Sequence, residues 1–115
     1  MNDIKDLQDK IIAFRDARDW KQYHHPKELA ISIVIEASEL LEQFQWAKGA
    51  TKEYMEKHRM DIGEELADVL IYALNLAHTM DFDVKEIVED KLRKSNKKYP
   101  IEKVKGSDRK YTEYD

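Results

Sequence analysis

The apolar positions of this chain recur at the spacing of an α-helix, with charged residues between them. In the first segment they fall three or four positions apart, which predicts an amphipathic helix over about residues 3–19. A connector at residues 21–25 follows. Pro26 then fits the first turn of a second helix, where its missing N–H costs nothing, and Gly49 is expected to stop that helix.

Two further helices are predicted downstream. Thr51 is a suitable N-cap for a third helix, which we expect to be bent or interrupted near Gly63. Asp83 caps a fourth helix, and Glu86 completes its capping box three residues later. The polar tail after Pro100 has no clear period. The predicted helices are residues 3–19, 26–48, 51–77 and 83–97, with a basic tail at residues 101–115.

Length and charge set the size of the core. At 115 residues, with few Gly and Pro and many strong helix formers, the chain is expected to be one all-α domain over residues 1–115. Charged residues make up 38% of the chain, so one protomer of this length buries only a modest core. We therefore expect assembly of several copies.

The composition also excludes several kinds of site. The absence of cysteine rules out disulfides, thiolate metal sites and thiol catalysis. The N-terminal residues alternate in charge, unlike a signal peptide, and the longest apolar run, residues 69–74, is too short to cross a bilayer. A cytoplasmic protein without a membrane partner is the expectation.

The net charge of −4 hides an uneven distribution. Residues 85–110 contain ten Lys or Arg and five Asp or Glu, which gives this segment a charge of +5. The rest of the chain therefore carries −9. An acidic part suits cations and a basic part suits phosphate, although a solvated surface is the common alternative.

Four carboxylates fall in two pairs. Residues three apart on an α-helix differ in direction by about 60°, so Glu36 and Glu39 share one face of the second helix. Glu65 and Asp68 share a face of the third helix in the same way. Apolar residues at helical spacing surround Glu36 and Glu65, which predicts that both pairs face the interior. Glu64, one turn before Asp68, is assigned to a second layer around the site or to solvent.

Inward-facing acids of like charge are unfavourable unless a cation compensates them. A hard divalent cation does so, and oxygen ligands in a chain without cysteine favour Mg²⁺ or Mn²⁺ over zinc. An ExxE sequence is common in charged helices, so one pair alone would be weak evidence. Two inward-facing pairs favour a metal site.

Around these acids the chain resembles the MazG-type all-α nucleoside triphosphate pyrophosphohydrolases, whose motif is ExxE followed by ExxD. Here the motif reads EASE and ELAD. The segments RDWKQYHHPKEL, ELLEQFQW, GEELADVLIYALNLA, KYP and RKYTE are similar in order and spacing to the dCTP pyrophosphatase branch. The resemblance covers nearly the whole chain.

The resemblance implies that the chain cleaves a nucleoside triphosphate, with dCTP the first choice, into a monophosphate and pyrophosphate. It implies a four-helix protomer that forms a dimer or tetramer, with a nucleotide rather than a nucleic-acid polymer as partner. One of Glu36 and Glu39 is expected to orient or deprotonate the attacking water. The implied Mg²⁺ ligands are Glu36, Glu39, Glu65 and Asp68.

Substrate contacts also carry over by motif position. Trp20 and Trp46 match aromatic positions that border the nucleoside pocket, and Tyr72 lies one turn beyond Asp68, although core packing is the alternative for these aromatic residues. His24 is assigned to the connector or the substrate pocket rather than to a metal. The stretch that contacts phosphates in the family is matched by Lys91, Ser95, Lys98 and Tyr99.

Two positions depart from the family pattern. Ser95 stands where the family usually has Asn, with Asn96 following it. Ile11 stands where some dCTP pyrophosphatases have a His near the base. These departures weaken the expectation of strict cytosine selectivity.

Two other classes of protein fit part of the pattern. A di-iron carboxylate bundle needs Glu-x-x-His on two helices, and no Glu of this chain has His three positions later. A non-enzymatic helical interaction module would pair the acids with the basic tail. Stabilisation by Mg²⁺ and by a nonhydrolysable nucleotide distinguishes the enzyme from such a module.

Overall fold

The computed structural model of the chain describes residues 3–46 and 51–106, and every regular element within these residues is helical. The all-α class is confirmed, but the described residues form six α-helices rather than the predicted four. The helices are α1 Asp3–Ala17, α2 Pro26–Glu42, α3 Lys52–Lys57, α4 Arg59–Thr79, α5 Val84–Lys98 and α6 Ile101–Val104, with a 3₁₀ turn at Lys21–Tyr23.

The chain divides into two compact units, of which the first ends at Asp81 and the second begins at Phe82. In the first unit, α2 and α1 both pack against α4. The two long helices are antiparallel, because His24 before α2 hydrogen-bonds Asn75 near the end of α4, while Tyr54 before α4 donates its hydroxyl to the carbonyl of Gln43 after α2. The second unit contains α5 and α6.

Local sequence signals begin three helices as predicted. Pro26 is in the first turn of α2. The Thr51 hydroxyl accepts the backbone N–H of Tyr54 at 3.1 Å, and the Asp83 carboxylate accepts that of Glu86 at 3.0 Å. Each side chain satisfies a donor that a helix N-terminus otherwise leaves unpaired.

The predicted third helix is two helices, and the break lies at His58 rather than near Gly63. His58 has φ −105° and ψ 15°, outside helical geometry, and its ring lies 4.3 Å from that of Tyr54. Gly63 continues within α4, where a side chain in its place would meet no atom within 4 Å. The prediction was wrong because a contact, rather than a helix-breaking residue, ends α3.

The second helix ends at Glu42, before the predicted end at Lys48, which lies outside the described residues. The N–H groups of Gln43 and Phe44 bond carbonyls three residues earlier, as in a tightened last turn. The hydroxyl of Tyr54 donates a hydrogen bond to the carbonyl of Gln43. In the predicted tail, the single-turn helix α6 follows Pro100.

The described part of the chain buries few apolar side chains. Among the described residues, the only buried apolar side chains are Leu29 and Ala77. Buried Gln8 ties α1 to α4 by donating to the carbonyl of Leu74 at 3.1 Å. Within residues 3–46 and 51–106, no helix has the length and apolar character that a membrane span needs. Large apolar residues that stay exposed on α1, α2 and α4 include Leu7, Phe14, Val34, Ile35, Leu66 and Leu70.

Candidate metal centre and nucleotide site

The antiparallel packing of α2 and α4 brings three predicted metal ligands together. Glu36 of α2 faces Glu65 and Asp68 of α4. Each residue offers one carboxylate oxygen, and the three oxygens lie within 4.8 Å of one another. Two helices therefore place three carboxylates around one small volume.

Two oxygens of this cluster lack a partner. The Oε2 atoms of Glu36 and Glu65 are buried, and neither has a hydrogen-bond partner within the described part of the chain. A buried carboxylate oxygen left unpaired costs free energy unless a donor or a cation satisfies it. An all-oxygen set of this kind matches the ligands that Mg²⁺ and Mn²⁺ prefer.

The acids also raise one another's affinity for protons. Burial, followed by a hydrogen bond with Glu39, raises the pKa of Glu36 to about 7, and the charge of Asp68 acts in the same direction. Burial, followed by the charge of Glu39, raises the pKa of Glu65 as well. Without a cation, protons therefore compensate part of the negative charge.

Glu39 belongs to this group, although its oxygens are not among the three that lie mutually closest. A further acid, Glu42, also raises the pKa of Glu65 through its negative charge. Glu42 was not predicted from the sequence, although it follows Glu39 by the same three-residue step. Glu64, which the sequence assigns to a second layer around the site or to solvent, is exposed.

A row of rings continues from the carboxylates. Burial, followed by the charges of Glu36 and Asp68, raises the pKa of Tyr72. The ring of Tyr72 lies 6.5 Å from that of His24 in an edge-to-face arrangement. The rings of His24 and Trp20 lie 6.4 Å apart. The structure thus links three of the predicted nucleoside-contacting residues to the acids.

A buried amide holds His24 in place. Asn75, with 2% of its surface exposed, accepts the Thr79 hydroxyl through Oδ1 at 3.3 Å. Its Nδ2 group therefore faces Nδ1 of His24, at 3.0 Å, and donates to it. Burial, followed by the charge of Arg15, lowers the pKa of His24. An Asn within the apolar run Leu-Asn-Leu-Ala was the sequence signal for this contact, and we did not predict its role.

The other predicted substrate residues lie elsewhere in the chain. Trp46 lies in the turn after α2 and is 87% exposed. In the second unit, Lys91, Ser95 and Lys98 lie on α5, and Tyr99 is its C-cap, with its N–H bonded to the Ser95 carbonyl at 2.8 Å. Their part in substrate binding remains a prediction.

Ile11, the position that departs from the family pattern, is half-buried. It lies with Phe14 and Ile71 in an apolar groove formed by α1 and α4. The remaining lining residues are Leu7, Lys10, Ala67, Leu70 and Leu74.

The MazG-like family model matches residues 31–114, which include all four predicted metal ligands. The chain belongs to the MazG-like family. The rat protein dCTP pyrophosphatase 1 is 35% identical to this MazG-like chain over 113 residues, and the human protein of the same name is 34% identical. In each case the match covers 96% of this chain and 66% of the relative, so the chain spans just under two thirds of their length.

A solved structure gives the same result for the fold. A pyrophosphatase from Archaeoglobus fulgidus superposes on the MazG-like chain with a TM-score of 0.82 and 42% sequence identity. The match covers 87% of this chain and 94% of that protein. The resemblance predicted from the sequence is confirmed at the level of the family.

Proposed function

We propose that the chain is a divalent-cation-dependent pyrophosphohydrolase that cleaves a nucleoside triphosphate into a nucleoside monophosphate and pyrophosphate. The observation that carries this proposal is the cluster of Glu36, Glu65 and Asp68, whose oxygens lie within 4.8 Å of one another. The names of the rat and human relatives and of the Archaeoglobus protein support the same reaction class.

In this proposal the metal ligands are Glu36, Glu39, Glu65 and Asp68. The closest oxygens of Glu36, Glu65 and Asp68 lie within 4.8 Å of one another. The two unpaired buried oxygens of Glu36 and Glu65 support the assignment. When bound, Mg²⁺ offsets the charge of the triphosphate and makes water more acidic, and Mn²⁺ has similar ligand preferences.

The chain's own carboxylates then accept the proton that the attacking water loses. Water attacks at the anhydride between the α and β phosphates, the bond to the bridging oxygen breaks, and pyrophosphate leaves with that oxygen. The proton of the attacking water passes to one of Glu36 and Glu39. We favour Glu39 as the proton acceptor. Its negative charge acts on Glu36 and Glu65, while its oxygens are not among the three carboxylate oxygens that lie closest together.

The nucleoside end of the substrate is assigned to the rings. Trp20, His24 and Tyr72 form a continuous row that begins at the carboxylates. A base stacked on an aromatic face gains about 1 to 3 kcal/mol, enough to influence which nucleotide is preferred. The hydrogen bond from Asn75 fixes the ring of His24 within that row.

The remaining contacts rest on motif position. We propose that Lys91, Ser95, Lys98 and Tyr99 contact the phosphates and that Trp46 borders the base. Lysine suits phosphate as a compact positive charge. These assignments are tested by a rise in KM for the substrate when each side chain is shortened.

We propose dCTP as the preferred substrate, after the printed names of the mammalian relatives. The half-buried Ile11 offers no hydrogen bond to a base, so cytosine would be recognised without this side chain. Other deoxynucleotides, canonical or modified, are therefore expected to be hydrolysed as well.

A substrate panel tests the proposal. The full chain would be assayed with Mg²⁺ against canonical ribonucleotides and deoxynucleotides and 5-methyl-dCTP, with pyrophosphate and monophosphate both quantified. We expect equal amounts of the two products, with dCTP the most efficient substrate by kcat/KM. Failure of every triphosphate to yield pyrophosphate would refute the activity, whereas a different preferred base would refute only the preference.

We also propose that protomers assemble into a dimer or tetramer. The apolar side chains left exposed on α1, α2 and α4 support this proposal, since only Leu29 and Ala77 are buried apolar residues within the described ranges. Burying such surface against a second copy is favourable by roughly 25 cal/mol per Å².

A further inference from the structure

A second cleft lies in the first unit, at the end of the α2–α4 pair remote from the acids. It encloses about 330 Å³. Five of its lining side chains are basic, and none is acidic. We call it the basic cleft; its lining residues are Arg15, Lys21, His24, His25, Pro26, His78 and Thr79.

Helix geometry separates the basic cleft from the carboxylate cluster. Along α4, eleven residues separate Asp68 from Thr79, which corresponds to about 16 Å at 1.5 Å per residue. Along α2, ten residues separate Pro26 from Glu36, or about 15 Å. A ligand between Pro26 and Thr79 would therefore lie apart from a phosphate group held at the acids. His24 is the residue that the cleft shares with the row of rings.

The cleft differs from an ordinary charged surface because Arg15, one of its lining residues, is buried. Only 5% of the residue is exposed, which is unusual for an arginine. Its Nε donates to Oδ1 of Asp16 at 2.9 Å, and Nη2 lies 2.9 Å from the same oxygen in an ion pair. A guanidinium carries five N–H groups, more than these two contacts use, so Arg15 can also donate to a ligand in the cleft that it lines.

Lys21 adds a positive charge at the rim of the cleft. The side chains of Lys21 and His78 are exposed, whereas the Thr79 hydroxyl already donates to Asn75 Oδ1. The cleft also includes the start of the long helix α2, where His25 is the N-cap without a side-chain hydrogen bond. Backbone N–H groups at such an end favour an anion.

We propose that the basic cleft binds a small phosphate-class anion, orthophosphate or pyrophosphate. Its volume of about 330 Å³ accommodates such an anion, and no Phe, Tyr or Trp of the described residues lines it on which a base could stack. Charge-assisted hydrogen bonds from a guanidinium and neighbouring donors are the usual means of holding such an oxyanion. The proposal does not require that the chain hydrolyse nucleotides.

Binding is tested directly on the full chain by two-dimensional NMR titration, at constant ionic strength and without divalent cations, so that the acidic cluster repels the ligand. Orthophosphate, pyrophosphate and dCMP form separate arms. We expect saturable binding of orthophosphate and pyrophosphate, with the largest shifts at Lys21, His78 and Thr79. Absence of saturation, or shifts confined to other residues, would overturn the proposal.

Exposed side chains supply the variants, because replacing buried Arg15 risks unfolding the chain. The double variant Lys21→Ala, His78→Ala is expected to weaken phosphate binding at least tenfold. Lys27→Ala is the matched control, because it removes a positive charge from the first turn of α2 without lining the cleft. If phosphate affinity fell equally in the control and the double variant, the effect would be general electrostatic attraction. That result would contradict a specific binding site in the cleft.

The dCMP arm separates a free anion from a nucleotide. Affinity for dCMP equal to or below that for orthophosphate supports recognition of the phosphoryl group alone. A dCMP affinity tenfold higher, lost in the double variant, would show that the nucleoside is recognised and would overturn the assignment to a small anion.

Discussion

At the scale of single residues, the protonation of Glu36 is central to the behaviour of the metal-free protein. Its Oε2 is buried without a partner, and its pKa is raised, by burial first and by Glu39 next, from 4.5 to about 7. A raised pKa means that the folded chain holds this proton more tightly than the unfolded chain. A bound cation would compete with that proton for the same oxygen.

The free energy of unfolding of the metal-free chain should therefore depend on pH. The contribution of Glu36 is fully present below about pH 4.5 and is lost as the pH rises through about 7. We expect stability measured by urea denaturation with chelator to fall from pH 5 to pH 8, and Glu36→Gln to reduce that fall. Glu56→Gln, which changes an exposed acid of α3, is the control and should leave the pH dependence as it is. A fall of equal size in Glu36→Gln and in the unmodified chain would show that this carboxyl titrates normally.

Asp68 provides a second test at the residue scale. The Asp68→Asn variant preserves shape and removes the negative charge from one of the three close oxygens. We expect the variant to fold, to lose most of its thermal stabilisation by Mg²⁺, and to hydrolyse dCTP at least about 100-fold more slowly. Calorimetric melting and a pyrophosphate assay measure the two effects. Wild-type turnover in Asp68→Asn would remove this side chain from the essential ligands.

At the scale of secondary structure, the junction between α3 and α4 illustrates how contacts shape the helices. The Tyr54 hydroxyl donates to the carbonyl that follows α2, and the Tyr54 ring stacks on His58 at the break. One residue thus joins the end of one long helix to the start of the other. The carboxylates lie on these same two helices.

Removing the Tyr54 hydroxyl should weaken this junction. We expect Tyr54→Phe to lower the free energy of unfolding by about 1 kcal/mol, since the Gln43 carbonyl loses a hydrogen bond while the ring stays. Tyr23→Phe is the matched control, because Tyr23 is 64% exposed. Urea denaturation compares the two variants, and equal stabilities would argue that the hydroxyl contributes nothing.

The limits of sequence prediction are clearest at this scale. The starts of α2, α3 and α5 were predictable because Pro26, Thr51 and Asp83 act on the backbone beside them. The end of α2 and the break at His58 depend on Tyr54, which meets Gln43 eleven residues away in the chain.

The site shows the same division. The three-residue spacing of the acids follows from helix geometry, so the sequence was enough to predict that each pair shares a face. The bond between His24 and Asn75 joins residues 51 positions apart, and it depends on how α2 packs against α4. No local pattern predicts such a contact.

At the scale of the whole molecule, the main feature of the first unit is that most of its large apolar side chains are exposed. Apolar side chains of three helices stay exposed, while three of the five buried residues in the described ranges are polar: Gln8, Arg15 and Asn75. A chain with so small a core gains stability when another copy covers the exposed surface.

Light scattering after size-exclusion chromatography measures the expected assembly. We predict a mass of two or four times the 13.7 kDa of the chain at micromolar concentration. A mass of one chain, together with cooperative unfolding, would contradict the proposed assembly and show that the protomer is stable by itself.

The central claim, that acids on α2 and α4 support cation-dependent cleavage between the α and β phosphates, is tested most directly by ³¹P NMR of the products. The full chain would be incubated with dCTP and Mg²⁺, and a matched sample with chelator. The account predicts dCMP and pyrophosphate in equal amounts with Mg²⁺ and neither product with chelator. Formation of dCDP and orthophosphate, or intact dCTP in both samples, would contradict it.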